Sequence, residues 1–298
     1  MKIAHASDLH LLSLKGASWL DFANKRWIGG LNLLTNRGRH YLTEIFERLI
    51  DDINESDVDH LVITGDVTNL ALDEEFRFAK ELFGRFRLSP KDITVLPGNH
   101  DAYIQKGSTH FTTHFGDYFS SDKDFQWKDK DPWPIVRVRG NIALVGISTS
   151  LKTPWFTAYG KVGDKQLGRL AEVLMDERLA GLSRVVAIHH PPAGKPSKSR
   201  VRGLLDRQHF ADVIRRAGCE LVLHGHEHRD IRNSLDGPLH RVEVRGIQSA
   251  TYDAGAKSGK KRARYRIYDV KEKTSLGLKS SEIMRAWNSE SRRFEAAR

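Results

Sequence analysis

The sequence has 298 residues, with 48 Lys and Arg against 38 Asp and Glu, and a formal net charge of +10 at pH 7. This length is sufficient for a full hydrophobic core, and no apolar run approaches the roughly 20 residues of a membrane-spanning helix. Cys219 is the single cysteine, so an internal disulfide is excluded, and nothing after Met1 resembles a signal peptide. We expect a cytoplasmic protein with one domain over 1–298 and with anionic partners.

Short apolar segments rich in β-branched residues recur along the chain and predict buried strands. These segments lie at 2–7, 60–64, 92–96, 142–147, 184–188 and 220–223. The pattern changes near the C-terminus, where 263–298 predicts closing strands and a hairpin.

Helical patterns lie between the predicted strands. Apolar residues repeat with helical spacing over 41–53 and 73–86. Asp164 and Asp206 occupy positions expected for the N-caps of two later helices, and Gly218 marks the end of the second. Strands and helices that alternate in this way indicate an α/β protein.

Polar side chains with metal-binding chemistry follow five of the predicted strands. The motifs are Asp8-Leu9-His10, Gly65-Asp66, Gly98-Asn99-His100-Asp101, His189-His190-Pro191-Pro192 and His224-Gly225-His226-Glu227-His228. Because open α/β sheets place their sites at the carboxyl ends of the strands, we expect these side chains at one edge. Imidazole and carboxylate ligands without a thiolate suit two divalent ions such as Mn, Fe or Zn. Two such ions can hold a phosphate and activate a water, which predicts phosphoester hydrolysis.

In this order, the motifs D-x-H, G-D, G-N-H-D, H-H-P-P and G-H-x-H resemble those of the calcineurin-like metallophosphoesterases. The resemblance implies a four-layer α/β/β/α sandwich of two mixed sheets flanked by helices, with a binuclear metal site. By matching motifs, the implied ligands are Asp8, His10, Asp66 and His228 for one ion, and Asp66, Asn99, His189 and His226 for the other.

The resemblance also implies roles beside the ions. His100 would protonate the leaving oxygen or steady the phosphate, and Asp101 would orient His100. The neighbouring His190 and His224 are expected to be structural.

The substrate class remains open at this stage. The G-N-H-D, H-H-P-P and G-H-x-H motifs are similar to those of class III cyclic nucleotide phosphodiesterases, which implies a phosphodiester substrate. The alternative is a nucleotide-lipid pyrophosphatase resembling UDP-2,3-diacylglucosamine pyrophosphatase. A non-catalytic scaffold of the same fold is disfavoured, because every expected ligand is present. Stable nucleic-acid binding is not expected, since fewer than 50 residues follow Ala250.

An aromatic and basic insertion at 13–40 separates the first motif from the first predicted helix. Its segment 19–39, from Trp19 to Arg39, mixes aromatic, leucine and basic residues. Three interpretations are open: a flap packed on the protein's own edge, a substrate lid in which Trp27 stacks on a base, and a peripheral membrane contact.

A second basic segment, 194–202, directly follows the H-H-P-P motif. We expect Lys198, Arg200 and Arg202 to bind substrate and to form one wall of an anionic cleft, with the insertion as the opposite wall.

Overall fold

Two six-stranded sheets form the centre of the computed structural model, which describes residues 1–13, 42–102, 105–254, 262–275 and 277–297. The strands of these described ranges are β1 (Lys2–Ala6), β2 (His60–Ile63), β3 (Ile93–Val95), β4 (Ile135–Arg139), β5 (Ile142–Gly146), β6 (Ser183–Ile188), β7 (Leu221–His224), β8 (Ile231–Asp236), β9 (Arg241–Gly246), β10 (Arg264–Thr274), β11 (Gly277–Asn288) and β12 (Arg293–Ala297). The α-helices are α1 (Thr43–Glu55), α2 (Asp73–Phe83), α3 (Gln105–Phe115), α4 (Asp164–Leu174), the single-turn α5 (Gly194–Ser197) and α6 (Arg207–Ala217).

Both sheets are mixed. The first has the order β12-β11-β10-β1-β2-β3, in which β1, β2 and β3 are parallel and β10 pairs antiparallel with β1. The second has the order β4-β5-β6-β7-β9-β8, with four parallel central strands and an antiparallel strand at each edge. The expected α/β class with two mixed sheets is therefore confirmed.

Three apolar clusters hold the layers together. One lies between the sheets and includes Ile3, Val62, Leu144, Val185 and Leu223. A second packs α1, α2 and α3 on the outer face of the first sheet, and a third packs α4 and α6 on the second sheet. Each helix buries one apolar face, because its apolar residues repeat every three to four positions. The order of layers is helices, sheet, sheet, helices.

Several elements differ from the sequence prediction. The strands β4, β8 and β9 were not predicted, because charged or polar residues interrupt the apolar ones in them and no continuous apolar run results. Asp164 is the first residue of α4, and Gly163 at φ 85° takes the N-cap position. Asp206 does precede α6, but its carboxylate accepts hydrogen bonds from the backbone N–H groups of Val162 and Gly163. It therefore joins the starts of two helices.

The insertion at 13–40 falls outside the described residues except for its first position. The three interpretations of 19–39 and the role predicted for Trp27 therefore stay predictions. Within the described ranges, the helices are too short or too polar to cross a lipid bilayer.

Candidate metal centre

The loops that follow β1, β2, β3, β6 and β7 converge at one edge of the two sheets. They bring together all seven side chains that were predicted to bind metal: Asp8, His10, Asp66, Asn99, His189, His226 and His228. Six of the seven are buried, and the side chain of His228 is one-quarter exposed. His228 is thus the one candidate ligand that is partly exposed to solvent.

The first half of the centre is formed by Asp8, His10 and His228. His228 Nε2 lies 3.2 Å from Asp8 Oδ1 and 3.2 Å from His10 Nε2. The three ligand atoms lie within 4.8 Å of one another, which is close enough to share one ion.

The second half is formed by Asn99, His189 and His226. His189 Nε2 lies 3.1 Å from Asn99 Oδ1. His189 Nδ1 is 2.6 Å from the carbonyl oxygen of Thr64, and since a carbonyl can only accept, Nδ1 carries the proton. Nε2 therefore presents a lone pair, which is the form of histidine that binds a metal.

His226 provides a test of whether these residues fit a metal ion. Its Nε2 is buried and has no hydrogen-bond partner among the described residues. A buried polar nitrogen without a partner costs free energy, and an ion would satisfy it. The donor set of imidazole, carboxylate and amide groups also suits a divalent transition metal. The residues fit.

Asp66 connects the two halves. Its Oδ2 lies 3.8 Å from His10 Nε2 and 3.5 Å from His189 Nε2, whereas its Oδ1 accepts a 2.7 Å hydrogen bond from the backbone N–H of His100. The resemblance implied that Asp66 is a ligand of both ions. In the structure Oδ2 alone faces both halves.

Burial and charge set the protonation of the ligands. Burial lowers the pKa of His189 and of His226, so both imidazoles are neutral near pH 7. Burial would raise the pKa of Asp8, but the charge and hydrogen bond of His228 hold that pKa well below its usual range. Asp8 is therefore ionised while His189 and His226 are neutral, which is the state in which these groups bind a metal.

Five of the predicted ligands have a left-handed backbone conformation that non-glycine residues rarely adopt. Their φ angles lie between 46° and 72°, and the residues are Asp8, His10, Asp66, His226 and His228. Each such residue costs roughly 1–2 kcal/mol. Backbone strain of this kind concentrates at functional sites, where the surrounding structure enforces it.

Two glycines allow the loops to approach closely. A Cβ atom at Gly98 would lie 2.1 Å from Asp66 Oδ1 and 2.3 Å from the backbone nitrogen of the same residue. A Cβ atom at Gly225 would lie 1.8 Å from Ser7 Oγ and 2.7 Å from Asp8 Oδ2. The glycines of the G-N-H-D and G-H-x-H motifs therefore make room for the carboxylates of the other loops.

His100 lies beside the first half of the centre. Its ring meets the ring of His10 edge-on at a centroid distance of 4.7 Å, and its Nδ1 lies 2.7 Å from the carbonyl oxygen of Asn69. Asp101 was expected to orient His100, but its buried carboxylate accepts hydrogen bonds from Val67, Thr68 and Gly98 instead. Burial raises the pKa of Asp101 to about 6, although these hydrogen bonds oppose the shift. The Asn69 carbonyl orients His100, and Asp101 ties the loops together.

His190 has both ring nitrogens engaged by the protein. Its Nδ1 lies 2.7 Å from Thr149 Oγ1, and its Nε2 lies 3.1 Å from the carbonyl oxygen of Ala158. Although its ring adjoins His189 and His226, these contacts give it a structural role. His224 Nδ1 likewise faces the carbonyl oxygen of Gly225 at 2.9 Å.

The basic residues predicted to bind substrate lie on an exposed loop after α5. Lys198, Arg200 and Arg202 are all exposed. The charge of Arg202 contributes to the low pKa of His190 and of His226, so Arg202 is close enough to act on the centre.

Two aromatic residues that sequence reasoning missed adjoin this loop. The Ala158 N–H donates to the carbonyl oxygen of Val201 at 2.8 Å, and this contact joins the two segments. Trp155 and Phe156 precede it and are 55% and 77% exposed. Phe156 has φ 63°, so its exposed ring is carried by a strained backbone. In the sequence, these two residues form an adjacent aromatic pair outside any segment with the periodicity of a strand or helix.

A cavity of about 600 Å³ opens next to His228. Its remaining lining residues are Glu227, Arg229, Asp230, Gln248, Tyr252 and Arg264. These residues were also missed, because they come from separate loops and strands that only the fold brings together.

Comparison with known proteins places this geometry in a family. No curated protein sequence matches the chain at a significant level. Among solved structures, a dimetal phosphatase from Danio rerio is similar with a TM-score of 0.59 and 12% identity, over 96% of this chain and 95% of that chain. The NAD nucleotidase of Haemophilus influenzae gives 0.53 and 10%, and the purple acid phosphatase PPD1 of yellow lupin gives 0.52 and 10%.

The nucleotidase comparison covers 100% of this chain but only 53% of the nucleotidase. The comparison with the purple acid phosphatase covers 99% of this chain but only 52% of the phosphatase. At these identities the similarity concerns the fold. The family model described as calcineurin-like phosphoesterase matches residues 1–230, which include every candidate ligand. The chain therefore belongs to the calcineurin-like phosphoesterase family, and it is a hydrolase acting on phosphoester bonds.

Proposed function

We propose that the protein is a two-metal phosphodiesterase that hydrolyses a nucleotide-like phosphodiester. The observation that carries this proposal is the position of Asp66 Oδ2 between His10 and His189. Because one carboxylate oxygen faces both halves, the two sets of ligands act as one centre. Two divalent ions held there would polarise the phosphoryl group and lower the pKa of a water, and they would stabilise the attacking and leaving oxygens.

The chain itself supplies proton transfer through His100. Since the Asn69 carbonyl can only accept, Nδ1 of His100 keeps its proton. His100 can therefore give up a proton only from Nε2, and only when the ring is positively charged. An anionic substrate bound beside the ring would favour that charge. His100 would then protonate the leaving oxygen or hold a phosphate oxygen.

Charge and space around the centre support an anionic substrate that is larger than phosphate. The charge of Arg202 reaches His226, and the cavity beside His228 is lined by Arg229 and Arg264. Arg264 is paired with Asp230, which leaves Arg229 as the more available cation for a phosphate or ribose oxygen. A volume of about 600 Å³ accommodates a nucleoside.

A nucleotide-lipid pyrophosphatase is the second candidate. It is favoured by the exposed rings of Trp155 and Phe156 close to the basic loop. Aromatic rings next to cations are suited to the boundary between lipid headgroups and acyl chains. The same rings could stack on a base, so an experiment has to separate the two functions.

The deciding experiment compares two substrates in the presence of Mn²⁺: a soluble cyclic nucleotide and a micellar nucleotide-lipid pyrophosphate. We expect faster turnover of the cyclic nucleotide. Trp155→Ser and Phe156→Ser should then raise KM without abolishing turnover, and Leu239→Ser, which changes an exposed leucine in the β8–β9 turn, serves as the matched control. Turnover of the micellar substrate alone, lost in both aromatic variants, would establish the second candidate. Metal binding without turnover of either substrate would indicate a scaffold.

A further inference from the structure

A second cluster of metal-binding side chains lies between α2 and α3, outside the candidate centre. Asp73 is the first residue of α2, and His110 and His114 are four positions apart on α3, so they share one helix face. His110 Nδ1 lies 3.0 Å and His114 Nε2 lies 2.8 Å from Asp73 Oδ1. These ligand atoms lie within 4.8 Å of one another, as they do in the candidate centre.

The surroundings hold the cluster in place. Arg77 Nη2 lies 2.7 Å from Asp73 Oδ2, so the second oxygen of the carboxylate is engaged while Oδ1 faces the histidines. The ring of His114 is parallel to the ring of Phe76 within 4°, at a centroid distance of 6.2 Å. Contacts of this kind orient the ligands in metal sites of proteins. The side chains of Asp73, His110 and His114 are 31%, 28% and 17% exposed, so an ion can enter from solvent.

We propose that Asp73, His110 and His114 form a third divalent-metal site that binds a zinc-like ion. Two imidazoles and one carboxylate are a ligand set for Zn²⁺ or Co²⁺, whereas Ca²⁺ and Mg²⁺ prefer oxygen ligands only. Three protein ligands leave a position for water. Without metal, both imidazoles can donate to the same Asp73 oxygen, so the side chains are already arranged when the ion arrives.

The position of the site indicates a positioning role. Gly107 in the first turn of α3 packs so closely on the loop before it that a Cβ atom would lie 2.5 Å from the carbonyl oxygen of Asp101. The Asp101 carboxylate in turn binds the backbone N–H groups of Val67 and Gly98, next to Asp66 and Asn99. An ion that joins α2 to α3 therefore steadies the helix behind the loops that carry metal ligands.

The test is the number of Zn²⁺ ions bound per full-length chain, measured by elemental analysis after equilibrium dialysis. We expect about three ions in the wild type, two in the candidate centre and one at the new site. Asp73→Asn and His114→Ala should each bind one ion fewer. His209→Ala, which removes an exposed histidine of α6, is the matched control and should bind as many ions as the wild type. Equal numbers in the wild type and in Asp73→Asn would overturn the proposal.

A second test measures thermal unfolding and uses no histidine variant, so it does not depend on how well such a variant folds. The Asp66→Asn chain, which weakens the candidate centre, should still gain thermal stability when Zn²⁺ is added, because the third site is intact. Adding Asp73→Asn to that chain should remove the gain, since Asn keeps the shape of the side chain but not its charge. The same rise in Tm in both chains would show that the ion binds elsewhere.

Discussion

The candidate metal centre at the edge of the sheets, called the edge below, differs in structure from the exposed loops beside it, called the rim below. At the edge, buried ligands hold strained backbone angles and are connected by hydrogen bonds from one loop to another, such as that from the backbone N–H of His226 to Asp8 Oδ2 at 3.0 Å. At the rim, Trp155, Phe156 and Arg202 are exposed on loops. We therefore expect substitutions of the buried ligands to change the reaction itself, and substitutions of the exposed side chains to change substrate binding without loss of the fold.

The largest effect is expected at the atom that joins the two halves of the centre. Asp66→Asn replaces one carboxylate oxygen with an amide and removes the negative charge between the two sets of ligands. Turnover should fall on the order of 10³-fold or more, and elemental analysis should show fewer bound ions. Asp117→Asn, an exposed carboxylate, is the control. Full activity of Asp66→Asn would contradict a shared centre.

A smaller but chemically specific effect is expected at His100. His100→Ala should slow hydrolysis of esters with poor leaving groups by about 10²-fold, and it should affect nitrophenyl esters much less, since only a poor leaving oxygen requires a proton. The measurement is kcat/KM across a series of leaving groups. An equal loss for every ester would assign His100 to phosphate binding instead.

The rim should affect binding more than turnover. Neutralising Lys198, Arg200 and Arg202 together should raise KM for a nucleotide diester about tenfold, because exposed charges contribute roughly 0.2–1 kcal/mol each. The KM for a small aryl phosphate should change little. Arg202→Ala alone should produce part of the effect, because the charge of Arg202 reaches His226. An equal rise in KM for both substrates would exclude the cleft.

The smallest expected effect is a difference in the free energy of unfolding that reports backbone strain at His228. His228 has φ 50°, a conformation that glycine adopts freely and alanine does not. In the metal-free protein, His228→Gly should therefore be more stable to unfolding than His228→Ala by about 1 kcal/mol. Chemical denaturation of the two variants gives the difference, and a more stable alanine variant would show that the backbone there is relaxed.

The sequence allowed prediction of the parallel strands other than β9 and of the candidate ligands, because both are expressed in short local patterns. Asp8, Asp66 and His189 each stand directly after an apolar run, and an open α/β sheet brings such positions to one edge. The polar strands β8 and β9 lack that signal. Strand β8 is an antiparallel edge strand, which tolerates polar side chains, and in β9 exposed charged residues alternate with buried Val242 and Val244.

Contacts between distant loops could not be predicted in the same way. Asp101 accepts hydrogen bonds from Val67 and Thr68, which precede it by more than thirty positions. No local sequence pattern predicts these hydrogen bonds. The bond between His100 and the Asn69 carbonyl is of the same kind. The exposure of Trp155 and Phe156 is a further example, since aromatic residues are usually buried and their neighbours give no periodicity.

The pairing of β1 with β10 constrains how the chain can be shortened and how it folds. Lys2 lies opposite Asp269 and His5 opposite Arg266, although the strand that carries Asp8 and His10 is the first in the chain. A chain cut after Gly246 would retain all seven candidate ligands and the whole family match, yet β1 would become an unprotected edge open to association with other chains. The first half of the metal centre brings together His10 and His228, 218 positions apart, and the sheet beside it pairs segments more than 260 positions apart, so we expect slow folding.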